Sequence, residues 1–80
     1  MRTSQIELKY PVTVDGHEYS TLTMRAPKVR DQIVAQKAAG KEDMELTLFS
    51  NLCEISKSVL EELEIADYNQ LHVAYSDFLS

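Results

Sequence analysis

The side chains able to do chemistry are few: His17, His72, Cys53 and the carboxylates Glu61, Glu62, Glu64 and Asp67. Two histidines 55 positions apart offer no metal-ligand spacing, and a metal site needs several convergent ligands. His17 beside a turn reads as exposed, and His72 as a surface or boundary residue of a helix. Cys53 has Glu54 beside it, whereas a reactive thiol needs an electropositive setting, so it reads as a small packed side chain. The carboxylate cluster Glu61, Glu62, Glu64 and Asp67 lacks the ligand order and glycine of a calcium loop, and reads as a solvated helical face. No HExxH, CxxC, GxSxG or phosphate-cradling glycine loop occurs, and no nucleophile has a neighbouring base. The expectation is a protein that is not an enzyme and binds no cofactor and no metal.

Apolar groups that stay available to a partner are then the more informative candidates. They are Met24 at a strand end, Met44 and Phe49 on one helix, and Tyr75, Phe78 and Leu79 near the terminus. Glu61, Glu62 and Glu64 complete the candidate partner-binding set with an acidic face. Charge is unevenly distributed. Residues 1–40 hold six basic and four acidic side chains, whereas residues 41–80 hold two basic and nine acidic ones, which together give the net charge of -5. That balance argues against nucleic acid or an anionic membrane as a partner, and suits a basic protein segment.

These residues must be positioned by a small frame. Eighty residues, 44% hydrophobic and 26% charged, fit a single domain over residues 1–80, whose core supplies only about 3–5 kcal/mol. Ile6, Leu8, Tyr10, Val12 and Val14 alternate with polar residues up to Asp15-Gly16, a type I′ turn signal, so a β-hairpin is predicted over about 5–25. If Val14 pairs with His17, Leu22 and Met24 fall on the face opposite Tyr19. A bulge near Ser20-Thr21 is therefore predicted to return them to the core, and Pro11 is expected at an edge or irregularity.

A helical part is predicted over about 28–79, making the fold α+β with three to four short helices. Pro27 suits the first turn of a helix running to about Ala39 and stopped by Gly40, with a thin apolar stripe of Val29, Ile33 and Val34 that needs a neighbour. Met44, Leu48, Phe49, Leu52 and Ile55 mark a second helix beginning near Asp43. Ser56 and Ser58 compete as caps of a third, with Val59, Leu60 and Leu63 inward. Asp67 with Gln70 reads as the cap of a last helix lined by Tyr68, Leu71, Tyr75, Phe78 and Leu79. Two strands alone make a poor sheet, so a homo-oligomer is expected to be accessible.

Several of these segments in order resemble a known family. They are Val12-Thr13-Val14-Asp15-Gly16, Leu22-Thr23-Met24-Arg25-Ala26-Pro27, Arg30-Asp31, and Leu63-Glu64-Ile65-Ala66-Asp67-Tyr68, spanning about residues 6–79. The chain is similar in them to the small tail assembly chaperones of contractile-tailed phages and Mu-like prophages, the tail protein E type. Lys28 departs from the Ser or Thr that often follows the proline in that family, and Ser56-Lys57-Ser58 is less acidic than its usual helix start.

The resemblance implies a protein that binds the tape measure protein during tail morphogenesis, keeps it soluble, and is absent from the mature virion. It also implies a frameshifted longer form sharing this region. The chain has no apolar run of membrane-span length and no signal-peptide pattern, and its single cysteine requires no oxidising compartment, so the bacterial host cytoplasm is the expected location. The alternative is a small acidic regulatory or inhibitor protein, antitoxin-like, that neutralises a basic partner. A structural virion component is a third reading.

Overall fold

The computed structural model describes residues 2–80. Strands β1 (Thr3–Val14) and β2 (His17–Arg25) form an antiparallel hairpin, followed by helices α1 (Val29–Gln36), α2 (Lys41–Cys53), α3 (Lys57–Glu62) and α4 (Ile65–Phe78). The fold is α+β, as the patterning predicts. Asp15 (φ 53°) and Gly16 (φ 78°) both take the positive φ that a type I′ turn requires.

From the turn, Val14 pairs with His17 and Val12 with Tyr19; the next pairs are Glu7 with Thr21 and Ile6 with Leu22. Four residues of β1, Leu8 to Pro11, thus stand opposite Ser20 alone. The predicted irregularity exists at this level of the hairpin, but the extra residues lie in β1 rather than in β2, and Pro11 falls among them. A bulge bends its strand, and here Val12 and Tyr19 on one side of it and Leu22 and Met24 on the other all pack on the core.

Ile6, Leu8, Leu22 and Met24 form the sheet side of that core, and Phe49, Leu52, Leu60, Leu63, Leu71 and Ala74 the helix side. Phe49 meets the rings of Tyr68, His72 and Tyr75 edge-on, at 5.6, 5.2 and 5.8 Å between centroids. These three α4 residues follow one another at four- and three-residue steps, so α4 lays a ring stripe over a single α2 side chain.

Several helix limits differ from the expected ones. α1 ends at Gln36 rather than Ala39, because Lys37 and Ala38 donate to Val34 and Ala35 in tighter turns. Gly40 is extended and stands before the first residue of α2 instead of stopping α1. α2 ends at Cys53, and the next residue, Glu54, takes a left-handed conformation (φ 56°, ψ 45°). Ser58 lies inside α3 and Asp67 inside α4, so neither is a helix cap; Ser56 and Glu64 occupy those places.

Candidate partner-binding surface

Two buried carboxylates hold the frame that carries the surface. Asp31 in the first turn of α1 takes two hydrogen bonds from the guanidinium of Arg25, at 2.8 and 2.7 Å, and a third from the backbone N–H of Lys28 at 2.8 Å. The bond from Arg25 pulls its carboxyl down to about 2, against the opposing effect of burial. Asp67 is fully buried, which corrects its placing on a solvated face. The bulge leaves the N–H groups of Lys9 and Tyr10 without ladder partners, and Asp67 accepts both at 2.9 Å while Gln70 Nε2 donates to it at 2.8 Å. Burial alone would raise its pKa; the three hydrogen bonds together outweigh that and lower it.

Held in this way, α2, α3 and the start of α4 enclose an open groove of about 330 Å³. Its apolar surface comes mainly from Leu46, Ile65 and Tyr68 over a floor of the core residues Leu60 and Leu63, and its rim carries Glu42, Glu45 and Glu61. Glu42, Glu45 and Leu46 share one face of α2 by helical spacing. Ile65 is 79% exposed, so a large aliphatic side chain stands open beside the acidic rim. The Tyr68 hydroxyl donates to Glu45 Oε1 at 2.8 Å, and His72 Nε2 lies 3.0 Å from the same oxygen. Burial first, and then the Glu45 carboxylate, raises the Tyr68 pKa, so the phenol remains a neutral donor.

The predicted candidates divide. Met24 and Phe49 lie wholly inside the core and present no surface, a correction to their place in the set. Met44 is half-buried on α2. Glu61 stands on the groove rim, with Glu62 and Glu64 exposed close to it in the chain. Tyr75, with Pro27, Val29, Leu48 and Leu79, lines a second depression of about 240 Å³ between α1 and the end of α4. Phe78 is half-buried under the Arg2 guanidinium, 5.4 Å from its ring centroid. Sequence reasoning missed Leu46 and Ile65, and read Val29, Ile33 and Val34 as facing a neighbour, whereas they are 76, 53 and 46% exposed.

Cys53 is buried, and burial pushes its thiol up to about 11, so it is no nucleophile near neutral pH. His17 packs against Tyr19 with 4.6 Å between ring centroids. Among the described residues no three His, Cys, Asp or Glu side chains converge to hold a metal ion, and no helix is long and apolar enough to cross a membrane.

Fold and groove define the class: a small α+β hairpin-and-helix protein whose surface offers an apolar groove with an acidic rim. The family model described as "Phage tail assembly chaperone proteins, E, or 41 or 14" matches residues 5–80, and the chain belongs to that family. Membership gives it a role in phage tail assembly, among protein partners. Comparison with curated proteins and with solved structures gives no match.

Proposed function

We propose that this chain binds the tape measure protein during tail morphogenesis, acting without chemistry of its own in the host cytoplasm and leaving before the virion of a contractile-tailed phage is complete. The observation that carries this reading is the groove. A long helical client exposes amphipathic helices before it is packed, and an apolar channel rimmed by Glu42, Glu45 and Glu61 suits a helix with an apolar face and flanking Lys or Arg. Glu62 and Glu64 extend the same attraction beyond the rim, where it acts on association rate more than on affinity. A frameshifted longer form would carry the same groove on its N-terminal region.

Co-expression with the tape measure protein of the same genome, followed by affinity capture and a solubility assay, tests the reading. The expected result is a soluble, co-purifying client whose capture weakens on charge reversal at Glu61, Glu62 and Glu64. A client that stays insoluble and uncaptured beside a folded chain overturns it.

A further inference from the structure

The outward face of α1 is chemically the counterpart of the groove. Val29, Ile33 and Lys37 follow one another at four-residue steps, with Arg30 beside them, so these four share the side opposite the buried Asp31 and Ala35, and Val34 stands at its edge next to Asp31. All five are exposed. The only carboxylate of α1, Asp31, is turned inward and occupied by Arg25. That face therefore shows two apolar and two basic side chains, with Val34 at its edge, and no acidic one, while the groove shows Ile65 and neighbouring aliphatics between Glu42, Glu45 and Glu61. The chain thus carries both a basic apolar helix and an acidic apolar channel for one.

We infer that α1 of one copy docks in the groove of a second copy when no client is present. A chain cannot satisfy its own groove, because the groove is built from α2, α3 and α4 and α1 is fixed elsewhere by the Arg25–Asp31 pair and by Ala35 packing. The contact uses different surfaces on the two copies, so it is heterologous: each added copy leaves one α1 face and one groove free. One eight-residue helix in one groove is a small contact, and its charge component is screened by salt. Association is concentration-dependent and weakens in high salt. The inference shares only the location of the groove with the client-binding reading, and it is tested with no client present, so either can fail alone.

Sedimentation velocity of the full chain, over a concentration series at low and high salt, reads the association directly. Ile65→Asp spoils the groove and leaves the α1 face intact; Val29→Asp with Ile33→Asp does the reverse. All three positions are more than half exposed, and circular dichroism verifies that each variant is folded. The wild type is expected to self-associate, and each variant alone to bind itself at least about tenfold more weakly, a difference of about 1.4 kcal/mol. An equimolar mixture of the two variants should regain one contact and stop at a heterodimer. Arg30→Glu with Lys37→Glu should behave as the α1 variant does. A wild type that stays monomeric throughout, a variant that associates as the wild type does, or a mixture that stays monomeric or grows past two copies overturns the inference.

Discussion

Asp67 closes the gap in the hairpin ladder at Lys9: its carboxylate on α4 accepts the Lys9 N–H at 2.9 Å across 58 positions of chain, and the Tyr10 N–H at the same distance. A side chain thereby replaces the missing strand partner, and the same contact pins α4 to β1. Removing it leaves two backbone donors unsatisfied beside the core, at about 1–3 kcal/mol each. Asp67→Ala is expected to lose most of a stability of about 3–5 kcal/mol, and Asp67→Asn less, because its remaining oxygen still accepts one of the two N–H groups while its NH₂ cannot accept the other. Urea unfolding followed by circular dichroism checks this, with the exposed Asp77→Asn as the unaffected control.

Acid should unfold the chain in a defined window. Asp31 and Asp67 both have folded-state pKa values below their ordinary ones, so the stability they contribute is fully present above about pH 5 and is lost as pH falls toward the folded values. For Asp31 the fall runs from its ordinary 3.8 to about 2. The urea midpoint should therefore drop steadily from roughly pH 5 to pH 2. In Asp31→Asn part of that dependence should vanish, and the variant should be weaker at pH 7 while its midpoint approaches that of the wild type near pH 2.

Arg25→Lys separates charge from geometry. Lysine keeps the charge but cannot form the two parallel bonds that Arg25 makes to Asp31. A loss of about 1–2 kcal/mol is expected, against about 3–5 kcal/mol for Arg25→Ala, which leaves the Asp31 charge buried and unpaired. Hydrogen exchange at α1 amides should rise more in the second variant than in the first.

Glu54 occupies a left-handed position at the end of α2 that favours glycine. Glu54→Gly should raise stability by a few tenths to about 1 kcal/mol, and the β-branched Glu54→Val should lower it by about 1–2 kcal/mol. Thermal midpoints of the two variants on either side of the wild type would verify the strain.

Legibility in the sequence followed the range of the interactions. The hairpin turn was readable because Asp15-Gly16 carries its own φ preference, and the core of α2 because Phe49 and Leu52 repeat at helical steps. The strand that holds the bulge was not, since Asp67 selects it from the far end of the chain. The local Asp67–Gln70 spacing reads as a helix cap, whereas the carboxylate is taken by β1 N–H groups from the far end of the chain. On α1, the apolar stripe of Val29 and Ile33 suggested a buried side, yet the Arg25–Asp31 pair anchors the opposite one and turns those residues outward. An apolar residue at a strand end or on a helical stripe, such as Met24 or Phe49, belongs to the core as readily as to a surface, and here both are buried. Ile65 stands at the junction between α3 and α4, where no periodic signal runs, so the groove became visible only once both helices were placed.

The burial of Cys53 makes the chain its own stopwatch. The thiol is 7% exposed and sits among the residues that close the core, so an alkylating reagent reaches it chiefly when α2 leaves the hairpin. Its labelling rate in plain buffer, divided by that of a free thiol, then reports the open fraction without denaturant. Because a ligand that binds only the closed form slows that rate in proportion to its occupancy, one native atom registers binding of any such ligand as a change in tempo, with no dye or tag attached.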